Sequence, residues 1–160
     1  MPTLVEAVHD ALEHSPAAPH AWGLLSLPGD ALASAGAARR FVRAMARSCG
    51  LPTDMAEPLE MITGELAANA LEHSESRSVT VVFFRTARTA TVSVTDEGHG
   101  CASVPDLPGA EQENGRGLLI IDTLAGRWGQ RKTDGGFTVW AEIAVRSNPG
   151  PAGQPTGPAE

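Results

Sequence analysis

Two runs rich in β-branched residues, Val79 to Arg85 and Thr89 to Thr95, are separated by only three residues. That spacing constrains the fold more than any other feature of the chain. Such side chains fit the pleated surface of a strand, and segments this close in sequence pair as an antiparallel hairpin. The chain therefore builds a sheet, and its remaining elements have to cover it.

Those elements follow from capping and periodicity. Trp22 to Leu27 reads as a short apolar strand ended by Pro28-Gly29. Asp30 is the expected N-cap of a helix that runs to about Cys49 and stops at Gly50 and Pro52. Its apolar positions are Ala35, Ala38, Val42, Met45 and Cys49, and Arg39, Arg43 and Arg47 form a separate row. That row reads as a solvated face, with an acidic partner surface or a dimer contact as the alternative. A second helix is expected from Pro58, suited to a first turn, to about Glu72. After the hairpin comes a glycine- and proline-rich loop over 97–114, then a helix from about Gly117 to Leu124. Two last strands, one around Trp128 and one from Thr138 to Val145, are joined by Asp134-Gly135-Gly136. Helices and strands grouped in this way predict an α+β two-layer sandwich, with a mixed, mostly antiparallel sheet and helices on one face.

The ends differ from the middle. Residues 1–20 hold one weakly helical stretch, Leu4 to His14, then a Pro/Ala segment, and read as a loose extension. From Ser147 onward, four prolines and three glycines in fourteen residues mark a disordered tail. One domain is expected at 21–146, consistent with a length of 160 residues.

Composition removes several function classes. Twelve Lys+Arg against 19 Asp+Glu leave a net charge of −7, which argues against generic nucleic-acid binding. Cys49 and Cys101 form no CxxC pair, so neither a disulfide scaffold nor a zinc site is expected. No apolar run reaches the ~20 residues that span a bilayer, and no secretory leader is evident. The expectation is a reduced, cytoplasmic protein without membrane contact.

Three short polar segments carry the chemistry. In Glu65-Leu-Ala-Ala-Asn69, helical geometry gathers Leu59, Ile62, Leu66 and Ala70 into one apolar stripe. Glu65 and Asn69 then share one flank of it, at the border of a cleft. A Glu there can take a proton from a hydroxyl, and an Asn carbonyl oxygen is a hard ligand for Mg²⁺. A plain polar helix face is the alternative. In Asp96-Glu-Gly98-His-Gly100, a carboxylate at a strand end can accept a hydrogen bond from an exocyclic amino group such as that of adenine. Gly98 and Gly100 would let the backbone approach a planar base; an ordinary turn is the alternative. Gly115-Arg116-Gly117-Leu118 opens a helix with glycines, whose exposed N–H groups and dipole attract an anion. Arg116 could add a charge-assisted bond to a phosphate. No Gly-Lys-Ser/Thr follows, so this is not a Walker A loop. Each segment is short; their order and separation are the stronger signal.

In that order they resemble the histidine-kinase/gyrase-type ATPase superfamily, and within it the anti-sigma-factor serine/threonine kinases. The resemblance covers about residues 22–145, with the N-box at Glu65 to Ala70 followed by Glu72-His73. The first glycine box is Asp96 to Gly100, and the second is Gly115 to Leu119. The ending Gly136-Phe-Thr-Val-Trp-Ala-Glu142 is similar to the family's final strand. The resemblance implies the histidine-kinase-like ATPase fold, with ATP and Mg²⁺ as cofactors. Asn69 would bind Mg²⁺, Asp96 the adenine amino group, and Gly98 and Gly100 would shape the base pocket. Gly115, Arg116, Gly117 and Leu118 would hold the phosphates, Thr138 would assist near the base, and Glu65 would be the catalytic base.

The implied activity is phosphorylation of a serine or threonine on an anti-anti-sigma (STAS-type) partner, together with sequestration of a sigma factor. Homodimerisation is also implied. Two departures stand out. Phe137 occupies the position where a lysine often precedes the threonine of the last strand, and the segment between Gly100 and Gly115 is short and carries Pro105 and Pro108. Both bear on catalytic rate more than on nucleotide binding, and they leave open an ATP-gated regulator without kinase activity. No separate helix pair with a phospho-accepting His is evident, which argues against a histidine kinase proper.

Overall fold

The computed structural model describes residues 21–73, 76–97, 119–133 and 136–146. The expected extension at 1–20 and tail at 147–160 lie outside these residues, as does most of the loop at 97–114.

The hairpin is present as β2 (Ser78–Arg85) and β3 (Thr89–Asp96), turned by Thr86, whose hydroxyl accepts the N–H groups of Arg88 and Thr89. It forms the middle of a five-stranded sheet with β1 (Ala21–Pro28), β4 (Arg127–Thr133) and β5 (Gly136–Ala144). The strand order is β1-β2-β3-β5-β4, and every pairing is antiparallel. The expected two-layer α+β arrangement is therefore observed, without a parallel pair among the described strands.

Two helices, α1 (Ala33–Ser48) and α2 (Thr53–His73), pack together and lie on one face of the sheet. Their apolar stripes close the core. Ala38, Val42 and Ala46 of α1 and Leu59, Ile62 and Leu66 of α2 meet Val79, Val81, Phe83, Ala90, Val92, Val94, Ala141 and Ile143 of the strands. Alternate positions along β2, β3 and β5 supply these strand residues, as a half-covered sheet requires. Complete burial of a side chain such as Leu59 contributes about 1.5–3 kcal/mol. Helical residues 119–124 add Ile121 to the same core.

Two helix starts differ from expectation. Asp30 does not cap α1, whose N-cap position is Leu32, with no side-chain cap bond. The chain at 28–29 is held elsewhere: the Gly29 N–H donates to the Arg77 carbonyl at 2.9 Å, and the Ser34 hydroxyl donates to the Pro28 carbonyl at 2.7 Å. Helix α2 begins at Thr53 rather than Pro58. The N–H groups of Met55 and Ala56 both donate to the Pro52 carbonyl at 3.0 Å, and both side chains are buried. Pro58 then sits inside the helix at the cost of one backbone bond, which the burial of that first turn offsets. The stop of α1 is as expected, with Gly50 at φ +76°, a conformation natural to glycine.

The arginine row on α1 is partly engaged within the molecule. Arg43 makes a two-pronged bond to Glu60 of α2, Nε to Oε1 and Nη2 to Oε2, each at 2.7 Å. No described helix is long and apolar enough to cross a membrane.

Candidate nucleotide site

The middle of α2 carries Glu65 and Asn69 one helical turn apart. Leu59, Ile62, Leu66 and Ala70 are all buried, while Glu65 and Asn69 are half-buried on the flank of that stripe. Thr63, on the buried side, satisfies its hydroxyl by donating it to the Leu59 carbonyl at 2.6 Å. The helix packs on β3 and β5, the two strands that bear Asp96 and Thr138.

Asp96 is the last residue of β3 and is 9 % exposed. It continues the alternation Ala90, Val92, Val94, all of which face the helices, so its carboxylate points into the layer that α2 occupies. Opposite it on β5 stands Phe137, half-buried and on the same face. This backbone position is specific: the β2–β3 register ends at the Thr80–Thr95 pair, so Asp96 lies one residue beyond the ladder on that side.

Side chains hold the chain where the ladder stops. The Glu97 N–H donates to the Ser76 hydroxyl at 2.8 Å. In return the Glu97 carboxylate accepts the Ser78 hydroxyl at 3.1 Å and the Arg77 N–H at 3.3 Å. Residues 76–78 also abut Gly29, where an added Cβ would lie 2.0 Å from the Ser76 carbonyl oxygen. The end of β1, the start of β2 and the end of β3 are thus tied at one corner of the sheet.

Thr138 is not brought beside Asp96. Its hydroxyl bonds to that of Thr95 at 2.8 Å, and both are buried on the sheet face that points away from the helices. The expected assistance near the base came from its position on the last strand; strand alternation sends its side chain to the other side and gives the place beside Asp96 to Phe137. Gly98, Gly100, Gly115, Arg116, Gly117 and Leu118 lie outside the described residues.

Sequence reading missed the Ser76–Glu97–Ser78 corner and the Thr95 partner. Neither carries a local signal, because each pairing joins residues far apart in sequence and follows only from strand register. The adjacent acidic residues at 96 and 97 were the one hint, and the sequence assigns a binding role to Asp96 alone, with an ordinary turn as the alternative.

The family model described as the histidine kinase-like ATPase domain matches residues 30–143. No curated protein matches the chain. Among solved structures, the RsbU and RsbW domains of Rv1364c from Mycobacterium tuberculosis are similar at 18 % identity and a TM-score of 0.59. That match covers 81 % of this chain and 34 % of the other, so the chain spans about a third of that protein's length. The SiaB-SiaC complex from Pseudomonas aeruginosa is similar at 15 % identity and a TM-score of 0.54, covering 87 % of this chain and 96 % of the other. At these identities the structural likeness speaks for the fold, and the family match supplies the assignment. The matched span takes in α1, α2 and nearly all of the sheet apart from β1, and the chain belongs to the histidine kinase-like ATPase domain family.

Proposed function

We propose that this domain, residues 21–146, binds Mg-ATP in the layer between α2 and the ends of β3 and β5, and transfers the γ-phosphoryl group to a protein hydroxyl. The observation that carries the reading is the direction of Asp96: a buried carboxylate aimed at the layer that holds Glu65 and Asn69. A carboxylate so placed accepts a hydrogen bond from the exocyclic amino group of adenine.

The donor set fits the metal. Asn69 supplies a hard carbonyl oxygen for it and is half-buried rather than solvated, as is the base Glu65 one turn away. The ion, when bound, neutralises phosphate charge during transfer. Glu65 receives the proton of a serine or threonine hydroxyl as that oxygen bonds to the γ-phosphorus, the bond to the β-phosphate oxygen breaks, and ADP leaves. Gly115, Arg116, Gly117 and Leu118 would hold the phosphates, and Gly98 and Gly100 would shape the base pocket.

The protein acted upon would be a STAS-type anti-anti-sigma protein in the cytoplasm, with a sigma factor as the sequestered partner and a homodimer as the working form. A second reading is favoured by one observation. Phe137 stands beside Asp96 and supplies no cation there, which suits a regulator that binds ATP without transferring phosphate. Calorimetry with Mg-ATP tests the common ground of both readings; label transfer from γ-labelled ATP to a STAS-type partner separates them. Absence of any heat of nucleotide binding would overturn the two together.

A further inference from the structure

The corner formed by Ser76, Ser78 and Glu97 does more than close the sheet. On its β5 side Asp96 is paired with Phe137, whereas on its β2 side the register has already ended at Thr80–Thr95. A free strand end would leave the backbone at 96–97 able to swing about its one remaining neighbour. The direction of the Asp96 carboxylate would swing with it. Three bonds replace the missing ladder: Glu97 N–H to Ser76 Oγ, Ser78 Oγ to Glu97 Oε1, and Arg77 N–H to Glu97 Oε2. They grip residue 97 through both its backbone and its side chain. Alternation sends the Glu97 side chain to the face away from the helices, so it cannot itself reach a ligand beside Asp96. Its effect on that ligand has to pass through the backbone.

We propose that Glu97 is a positioning residue for base recognition: clamped to residues 76–78, it sets the direction in which Asp96 presents its carboxylate. The inference rests on the reading of Asp96 as the adenine-binding carboxylate.

The test compares ATP with purine riboside triphosphate, which lacks the exocyclic amino group, by calorimetry in the presence of Mg²⁺. The full chain should prefer ATP. Glu97→Ala should lower ATP affinity about tenfold, on the scale of one charge-assisted hydrogen bond, and leave the affinity for purine riboside triphosphate unchanged. Glu97→Gln, whose amide oxygen can accept the Arg77 N–H while its amide nitrogen donates to the Ser78 hydroxyl, should restore most of the preference. Ser76→Ala, which removes only the acceptor for the Glu97 N–H, should lower the preference by a smaller factor in a protein with an unchanged circular dichroism spectrum. An equal loss for both nucleotides in Glu97→Ala, or an unchanged preference, overturns the positioning role while leaving the Asp96 reading intact. A parent protein that binds ATP without any preference over the analogue overturns the Asp96 reading itself, and the positioning role with it.

Discussion

Thr95 and Thr138 join their hydroxyls at 2.8 Å on one face of the sheet, while their chain neighbours Asp96 and Phe137 stand opposite each other on the other face. One step along two paired strands therefore separates a structural contact from a candidate recognition contact. The hydroxyl pair is buried, one O–H donating and the other oxygen accepting.

Replacing Thr138 with valine should leave the Thr95 hydroxyl buried without its partner. The expected cost is about 1–3 kcal/mol of stability, read as a lower urea midpoint. The double change Thr95→Val/Thr138→Val keeps the β-branched shapes and should recover most of that loss. Mg-ATP affinity should stay within about twofold in both, the loss remaining one of stability. Phe137→Ala, by contrast, should alter affinity several-fold. A Thr138→Val protein of normal stability that binds nucleotide poorly would place the threonine in the pocket after all.

Gly29 should tolerate no side chain. A Cβ there would meet the Ser76 carbonyl oxygen at 2.0 Å and the Ser76 carbonyl carbon at 2.8 Å. Both are backbone atoms, so neither can rotate away. Gly29→Ala should destabilise the fold by about 3 kcal/mol, the upper end of overpacking costs, with an unchanged urea m-value. Since Ser76 is one jaw of the clamp on Glu97, the same variant should also lose part of its preference for ATP.

The Arg43–Glu60 bond predicts a pH dependence. The hydrogen bond from Arg43 is the main cause that holds the Glu60 carboxyl below its ordinary range; partial burial opposes it, and the charges of Arg43, Arg47 and Arg39 reinforce it. A folded-state pKa below the unfolded one means the unfolded chain binds more protons as pH falls. The stabilisation is therefore present above the ordinary carboxylate pKa and is lost as pH drops through the lowered folded value. Thermal melts of the parent protein and Glu60→Gln should converge in acid and separate towards neutrality, with the parent the more stable. The effect should be small, because the Arg43 side chain is 50 % exposed, and added salt should shrink it. Parallel melting curves across the acid range would exclude the pair as a contributor.

What the sequence made legible was whatever local chemistry decides. The hairpin over 79–95, the stripe Leu59–Ile62–Leu66–Ala70 and the stop at Gly50 all depend on near neighbours, and all are present. The start of α2 was misplaced because Pro58 is a good first-turn residue in isolation. Only the core explains why Met55 and Ala56 wind a turn before it. Likewise Asp30 is a sound cap on local grounds, but the Gly29–Arg77 bond to the next strand draws that corner away from the helix. The flank shared by Glu65 and Asn69 was legible from helix periodicity; the sheet face that Thr138 occupies was not. Thr138 looked equivalent to any threonine of a last strand until the register with Thr95 sent it to the far side.

Glu65 and Asn69 share a helix flank and should nevertheless separate in function. As a base, Glu65 matters only when a hydroxyl attacks, so Glu65→Gln should leave Mg-ATP affinity within about twofold and lower phosphoryl transfer about 10²-fold. The Gln keeps the volume and polarity of this half-buried position, which makes misfolding a poor explanation for the loss. Asn69 acts through the metal, so Asn69→Ala should weaken Mg-ATP binding about tenfold, one good ligand's worth. Chelation by EDTA should then erase the difference between Asn69→Ala and the parent protein, since neither retains an ion to hold. If Asn69→Ala loses as much affinity for metal-free ATP as for Mg-ATP, the amide touches the nucleotide directly. If Glu65→Gln transfers phosphate at the parental rate, the proton leaves by another route and the carboxylate serves only the shape and charge of the cleft.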